Sequence, residues 1–453
     1  MPTFIDSILV LALIIVIARF IKRGAPFLQK YFIPSALIAG VGGLILGPQL
    51  LETIPTDITS YWANFPKYLI NIVFAGLFLG KTIPNHKELW RLSGPMIAFG
   101  NTIAWGQYVL GIALTLFILT PFFGTNPLAG ALIEIGFEGG YGTAAGLAPS
   151  FEKLGWSEGT DIALGLATIS LVGAIISGVI LINWRNRRHG FLIDEATWQQ
   201  QRRILIRSGY NLVRFGQKLN TNPKAIVINI LAFALAIIIG LGIFKGLVFL
   251  EDITLNNWTD LRFMTYVPLF PFAMLGGLLL QLFLRKINQQ HLIQRRTAQI
   301  ISTIALDVLI ASAVATVSLT VIQNNLPVVI IFSVAGIAWI LSCFLVLAPR
   351  MFPKYWFENG ITNTGQSMGM TATGLLMNRL ADPTNKTQAR EGFAYKQLAF
   401  EPFMGGGLVT ATSAIVIAEF GSWPALIASA VCMLFWLWLG LFMYRRRIKS
   451  QKD

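Results

Sequence analysis

Two glycine-rich stretches, at 126–155 and 357–382, contain the residues with the clearest capacity for chemistry. Each interleaves glycine with hydroxyl, amide and acidic side chains. Backbone that is not helical leaves N–H and C=O groups unpaired, and inside a membrane it is tolerated only where protein or a wet cavity satisfies those groups. Amides at a helix N-terminus favour a carboxylate, whereas carbonyl oxygens favour a cation. The two stretches therefore predict a binding site for a small charged solute.

The candidate ligands in these stretches are small or carry an oxygen atom that can face a solute. For the substrate we expect Glu138, Gly139, Gly140, Gly142, Thr143, Asn363, Thr364, Gly365 and Thr371. Thr143 and Thr371 are also candidate ligands of a cation. The competing interpretation is that small residues only allow helices to pack closely. Polar residues between the glycines, in both stretches, favour the binding site.

An acidic residue, Asp307, lies near the middle of an apolar segment. A charged side chain at the bilayer centre costs about 2.5–3.5 kcal/mol on insertion scales, so it needs a partner. A bound cation or a proton relay would supply one; a hydrogen-bonded structural carboxyl is the alternative. Asn71 occupies the corresponding place in an earlier segment and would add an uncharged oxygen. Hard oxygen ligands suit ions such as Na⁺, so we expect Na⁺ as the coupling ion and no other cofactor.

We do not expect a buried Arg or Lys to bind an anionic substrate, because neither residue is clearly placed within the apolar segments. We therefore expect an anion to be held by helix N-termini, hydroxyls, amides and a co-bound cation.

The composition indicates an all-α polytopic membrane protein. The 453 residues are 55% hydrophobic and 12% charged, whereas a soluble domain carries about 25% charged residues. The segments long enough to span a bilayer are 4–22, 32–50, 66–82, 93–120, 159–184, 225–250, 263–284, 297–322, 327–348, 396–419 and 422–444. The net charge of +14 does not indicate a nucleic-acid partner, because the basic residues lie in short loops between these spans.

The distribution of Lys and Arg predicts how the chain crosses the membrane. If each span crosses once and each glycine-rich stretch returns to its own side, all but Lys67, Lys153, Lys245 and Arg262 of the 35 basic residues are cytoplasmic. Lys396 is among the residues assigned to a cytoplasmic loop. The N-terminus is then outside and the C-terminus is inside. Making either glycine-rich stretch a full crossing would move the following loops to the wrong side, so both are expected to be re-entrant hairpins.

This topology divides the chain into two inverted repeats of five spans, 1–184 and 225–419, each with one hairpin. Weak internal similarity agrees, since Thr143–Leu147 matches Thr371–Leu375. The repeats are joined by a basic cytoplasmic linker, 185–224, in which 195–218 suits either an amphipathic helix on the bilayer surface or a solvated connector. The tail, 420–453, adds one transmembrane helix and a cytoplasmic end.

At the glycine-rich stretches the sequence resembles the sodium/glutamate symporter family. The residues that carry the resemblance are Tyr31–Pro34, Gly139–Thr143 and Gly365–Gly374, and the likeness extends through most of 1–419. It implies Na⁺-coupled uptake of glutamate or a related carboxylate, an elevator-like movement of a transport domain, and a homodimer in the cell membrane surrounded by lipid. Glu138 and Tyr141 stand where the family pattern leads us to expect a small hydroxyl residue and a histidine.

Two other functions stay open. A proton-coupled carrier or an exchanger of another organic anion would use the same architecture. An ion channel or channel-like regulator would keep the fold without coupling. An enzyme is not expected, because the sequence contains no nucleophile elbow, P-loop or zinc-protease motif.

Overall fold

The computed structural model describes residues 4–84, 86–189, 223–254 and 263–449, with the isolated positions 196, 199 and 200. Nearly all of the predicted amphipathic stretch 195–218 therefore lies outside the described residues. All regular structure within these ranges is helical. The α-helices are α1 Phe4–Gly24, α2 Pro26–Lys30, α3 Ser35–Leu46, α4 Thr56–Ala75, α5 His86–Leu114, α6 Thr120–Phe123, α7 Leu132–Phe137, α8 Gly140–Gly146, α9 Ala148–Lys153, α10 Glu158–His189, α11 Pro223–Thr254, α12 Phe270–Lys286, α13 Arg295–Ala315, α14 Leu319–Asn324, α15 Leu326–Ser342, α16 Ala348–Met351, α17 Trp356–Ser367, α18 Thr371–Ala381, α19 Ala389–Phe400, α20 Leu408–Phe420 and α21 Ser422–Lys449.

Seven helical stretches in the described part of the chain are long and apolar enough to cross a membrane. They are Phe4–Gly24, Ser93–Phe123, Glu158–Arg188, Pro223–Thr254, Arg295–Ala315, Leu326–Met351 and Ser422–Met443. Each coincides with one of the eleven predicted spans. The chain is therefore a multi-pass membrane protein, as its composition predicted.

The other four predicted spans form helices that are shorter than predicted, shifted along the chain or broken. Two form short helices, α3 and α12, of 12 and 17 residues. At 1.5 Å per residue, a 12-residue helix covers only part of a hydrocarbon core about 30 Å thick. The span predicted at 66–82 begins earlier, at Thr56, and ends at Ala75.

The predicted span 396–419 is wrong as a continuous helix. It is divided into α19 and α20 by a non-helical segment, Glu401–Gly407. Pro402 lacks a backbone N–H, and the three glycines that follow it favour irregular backbone. Gly405 and Gly406 adopt φ values of +66° and +104°, which are accessible chiefly to glycine.

One face of several long helices carries exposed apolar side chains. On α1 these include Ile5, Leu9, Leu13 and Phe20, which follow the helical repeat and form one stripe. Comparable apolar side chains are exposed on α11 and α21. A soluble protein rarely leaves such extended apolar surface in contact with water, whereas these surfaces suit contact with lipid.

Each half of the chain contains a helix–break–helix element at the predicted glycine-rich stretch. In the first, α7 ends at Phe137 and α8 begins at Gly140; in the second, α17 ends at Ser367 and α18 begins at Thr371. The two helices of the second element pack against each other. Asn378 Nδ2 on α18 donates to Thr362 Oγ1 on α17 at 3.0 Å.

A second feature recurs at the sequence offset that relates Thr143 to Thr371, 228 residues. A five-residue π-helical segment, Thr115–Leu119, leads into α6, and an equivalent one, Cys343–Leu347, leads into α16. Pro121 and Pro349 stand at the same place in the helices that follow. Because proline lacks an N–H and clashes with the carbonyl four residues earlier, it displaces the regular hydrogen-bond ladder. The same local chemistry therefore shapes both segments.

Candidate functional site

A cavity of about 710 Å³ lies where the two helix–break–helix elements meet. Its wall is formed by both breaks, the C-terminal end of α4, one face of α13, and α19 with the broken segment that follows it. We call it the central cavity. The sequence predicted site residues in both breaks, in α4 and in α13, but not in α19 or in the broken segment that follows it.

The tips of the two breaks touch. Gly140 has a φ of +65°, and a Cβ atom at this position would lie 3.0 Å from the carbonyl oxygen of Gly369. Ser367 Oγ on the second element donates to Glu138 Oε1 on the first at 3.3 Å. A side chain at position 140 would press against the opposing backbone, so glycine is required there for both conformation and space.

The broken segment Glu401–Gly407 is anchored to the first element by Glu134. This fully buried carboxylate accepts hydrogen bonds from the backbone N–H of Gly405 at 3.0 Å and from Thr410 Oγ1 at 2.8 Å. Tyr108 donates to its other oxygen at 2.6 Å. Both carboxylate oxygens are therefore satisfied, and Glu134 has a structural role in holding the break beside the central cavity.

Five buried oxygen atoms in residues that line the central cavity have no hydrogen-bond partner among the described residues: Glu138 Oε2, Thr143 Oγ1, Ser302 Oγ, Gln397 Oε1 and Glu401 Oε2. Glu138 and Thr143 are the two that belong to a helix–break–helix element. Leaving a buried polar atom unpaired costs about 1–3 kcal/mol, and more for a charged group. A carboxylate and a hydroxyl oxygen are hard ligands of the kind that alkali and alkaline-earth cations take. Glu138 and Thr143 thus fit a coupling cation; the sequence predicted Thr143 as a cation ligand but Glu138 only as a substrate ligand.

A third carboxylate, Glu401, lies on another part of the cavity wall. Its Oε1 accepts from Thr371 Oγ1 at 2.8 Å and from Gln397 Nε2 at 3.0 Å. Lys81 Nζ stands 3.8 Å from Glu401 Oε2. The predicted ligand Thr371 is therefore already engaged by protein groups at the start of α18.

Lys396 corrects two expectations. It is not a loop residue, and it supplies the cationic group that the apolar segments were expected to lack. The residue lies in α19 with no exposed surface, and its Nζ donates to Gln366 Oε1 at 2.5 Å. The available signal was its spacing from Phe393 and Phe400, which places all three on one buried helix face.

Five of the predicted substrate ligands line the central cavity: Glu138, Gly139, Gly142, Thr143 and Thr371. Gly140 forms the contact between the tips. Asn363, Thr364 and Gly365 are not among the lining residues. Gly365 instead allows α17 and α18 to approach, since a Cβ there would lie 2.7 Å from Met377 Cγ.

The structure separates Asp307 from the ligands with which it was expected to bind a cation. Asp307 lines a second cavity, between α1, α4 and α13, and pairs with Arg19 at 3.1 Å. The preceding residue, Leu306, lines the central cavity, and successive residues on a helix point about 100° apart. Asn71 does not line either cavity; its Nδ2 donates to the backbone of Lys67 at 2.9 Å.

Comparison with known proteins identifies one family. A family model described as sodium/glutamate symporter matches residues 3–380. The matched range contains both helix–break–helix elements and ends before Lys396 and the broken segment at Glu401–Gly407. No curated protein matches the chain.

The contact between the tips predicts that replacing Gly140 by alanine destabilises the protein more than replacing Gly124, although both glycines have the same backbone conformation. Gly124 has a φ of +66°, but a Cβ there would have no neighbouring atom within 4 Å, whereas Gly140 faces the Gly369 carbonyl. Gly124→Ala should cost about 1 kcal/mol from the left-handed conformation alone, and Gly140→Ala should cost more. Thermal unfolding of the purified variants measures both effects. Equal melting temperatures for the two would contradict the contact.

Proposed function

Because the chain belongs to the sodium/glutamate symporter family, we propose that it carries glutamate, or a closely related carboxylate, into the cell together with Na⁺. The observation that carries this proposal is the central cavity between the two breaks, where the first element presents a carboxylate and a hydroxyl with unpaired oxygens. The homodimer and the cell-membrane location implied by the resemblance belong to the same proposal.

We place the coupling ion at Glu138 and Thr143, next to the contact between the tips. Their unpaired oxygens gain a partner when a cation enters, and the carboxylate supplies the charge that attracts it. This site replaces the one centred on Asp307, whose charge is already compensated by Arg19.

The substrate carboxylates have two sources of attraction at the cavity wall. α18 begins at Thr371, and the N-terminus of a helix carries partial positive charge and free N–H groups. Lys81 and Arg295 also line the cavity. A dicarboxylate such as glutamate suits this arrangement, since its two anionic ends need separate partners.

The inverted-repeat topology is supported by contacts between segment ends that are predicted to lie on the same side of the membrane. Helix ends predicted to lie outside contact each other: Ser318 N–H donates to Asp161 at 3.0 Å, and Lys153 Nζ donates to Thr265 O at 2.8 Å. Ends predicted to be cytoplasmic also meet, as in the ion pair of Arg185 with Glu358 at 3.0 Å. The repeated π-helical segments before Pro121 and Pro349 agree with two related halves.

The exposed rim of the central cavity supports one stage of an elevator-like cycle. Thr82, Gln299 and Glu391 line the cavity and are exposed. Thr82 and Gln299 lie at the predicted cytoplasmic ends of the spans 66–82 and 297–322, and Glu391 lies in the predicted cytoplasmic loop before 396–419. In this conformation the cavity would open to the cytoplasm. Movement of the two hairpins with their packed helices would carry it to the other face.

The wild-type protein in liposomes should accumulate radiolabelled L-glutamate against its gradient when Na⁺ is higher outside. Choline in place of Na⁺ should abolish this uptake, and preloaded unlabelled glutamate should accelerate it by counterflow. Flux that preloading does not accelerate would point to a channel. Uptake driven by a proton gradient and indifferent to Na⁺ would favour the proton-coupled carrier.

The cation site predicts that Thr143→Ala raises the Na⁺ concentration for half-maximal uptake by about tenfold, because one ligand to a charged group is lost. Thr160→Ala is a matched control: the Thr160 hydroxyl is also buried without a partner, but the residue lies at the start of α10 and does not line the central cavity. The control should keep the wild-type Na⁺ dependence. An unchanged Na⁺ curve in Thr143→Ala would remove this residue from the ion site.

The topology predicts that both ends of each hairpin lie on one side of the membrane. Cys343 and Cys432 are first replaced, and single cysteines are then introduced by Pro127→Cys, Glu152→Cys, Lys354→Cys and Thr384→Cys. A membrane-impermeant thiol reagent added outside intact cells should label the first two and reach the last two only after permeabilisation. Labelling of the two ends of one hairpin from opposite sides would refute the inverted repeat.

A further inference from the structure

The buried ammonium group of Lys396, beside the central cavity, has no part in glutamate or Na⁺ binding as proposed. Lys396 has no exposed surface, and its Nζ lies 3.4 Å from the centre of the Phe400 ring. Gly100 on α5 makes room for it, since a Cβ at that position would lie 2.6 Å from Lys396 Cε. Burying an ammonium is costly unless opposite charge and hydrogen bonds compensate it, so its surroundings have to include a carboxylate.

The compensating carboxylates are those of the cavity wall. The charges of Glu138 and Glu401 both act on Lys396. Glu401 is also paired with Lys81 and accepts two further hydrogen bonds. The Oε2 atoms of Glu138 and Glu401 both lack a hydrogen-bond partner, but Glu138 is different because it has no ion pair within 4 Å among the described residues. Lys396 is therefore the principal cation available to Glu138 among the residues that the structure describes.

Gln366 stands between the two charges. Its Oε1 accepts from Lys396 Nζ at 2.5 Å. Its amide lies on the side of Glu138, since a Cβ at Gly405 would stand 3.8 Å from Gln366 Nε2 and 3.7 Å from Glu138 Cγ. Gln366 and Glu138 line the central cavity, whereas Lys396 lies behind them. Lys396 can thus influence a solute in the cavity through charge, without contacting it.

We infer that Lys396 is a built-in counter-charge for Glu138, which takes the place of the coupling cation when the central cavity is empty. The inference rests on the proposed Na⁺ site at Glu138 and deepens it by naming what neutralises that site without Na⁺. Na⁺ and the Lys396 ammonium compete for the same carboxylate. Lys396 is a positioning residue, because it acts through Gln366 and Glu138.

The competition has a consequence for the transport cycle. A symporter completes net uptake only if the empty site returns across the membrane, and an uncompensated carboxylate would oppose that step because a lone charge is expensive in a low-dielectric environment. Lys396 removes this penalty. Exchange of internal for external substrate keeps the site loaded with Na⁺ throughout, so it does not need the counter-charge.

Na⁺ binding to the purified protein provides the first test, and it does not depend on the identity of the substrate. Thermal unfolding is followed while Na⁺ replaces choline at constant ionic strength. Lys396→Met removes the charge but keeps an unbranched apolar side chain against Phe400, and it should lower the half-saturating Na⁺ concentration by about tenfold, a typical coupling between sites. Lys396→Arg keeps the charge and should stay close to the wild-type value.

A purely structural lysine predicts another result. Lys396→Met would then lower the melting temperature in the absence of Na⁺ but leave the half-saturating Na⁺ concentration unchanged, which would overturn the inference. If Lys396→Met does not fold, Lys396→Gln is titrated in the same way, since its amide can still hydrogen-bond to Gln366. A higher half-saturating concentration in the neutral variant would also overturn it.

Net uptake and exchange provide the second test. In liposomes, Lys396→Met should slow Na⁺-driven net uptake of L-glutamate by about tenfold and leave glutamate exchange, with Na⁺ on both sides, close to wild type. Equal losses in both assays would contradict the counter-charge. Failure of the wild-type protein to transport L-glutamate at all would instead contradict the proposed function, and the Na⁺ titration would still decide the role of Lys396.

Discussion

The central constraint on this structure is that non-helical backbone inside a membrane must find partners for its amide groups. Three interruptions, after Phe137, Ser367 and Phe400, converge on one cavity. Grouping the breaks helps to pair their backbone polar groups, because a residue beside one break can hydrogen-bond to a group left free by another. Glu134 illustrates this: its carboxylate on the first element accepts the N–H of Gly405 in the third interruption.

The same constraint explains where the glycines are needed. Gly140 lies where the two tips meet, and a Cβ there would stand 3.0 Å from the Gly369 carbonyl oxygen. Gly406, with a φ of +104°, lies so close to Thr143 that a Cβ would stand 2.4 Å from its Oγ1. Close packing thus places the Thr143 hydroxyl against the backbone of Gly406, where a larger residue would not fit.

Apolar length located the seven long spans, and glycine-rich composition located the two stretches that form the helix–break–helix elements, because each depends on local composition. It could not show that 396–419 is broken, since the apolar residues on both sides of the Glu401–Gly407 segment resemble a continuous span. It also placed Lys396 in a loop, because hydropathy treats lysine as a surface residue, whereas its burial depends on carboxylates that are distant in sequence.

For Asp307, the sequence predicted the need for a partner but could not identify that partner. Its place in the middle of a span correctly indicated that it needs a partner, and the partner is Arg19, 288 residues away. Composition could not decide between a protein cation and a solute cation. Leu306 and Asp307 are adjacent on α13, but their side chains point in different directions and line different cavities.

The charged residues around the central cavity lie partly inside and partly outside the range that the family model matches. The matched range, 3–380, contains Glu138, Thr143 and both tips, whereas Lys396 and Glu401 follow it. Both glycine-rich breaks and the helices from α1 to α17 therefore lie in the part of the chain that the family model matches, whereas α19, α20 and α21 follow it. The charge balance of the central cavity depends on the following helix, where Lys396 faces one carboxylate of the first element and Glu401 faces Lys81. A protein of this architecture can thus alter the electrostatics of its site through one helix face while the backbone that surrounds the solute stays the same.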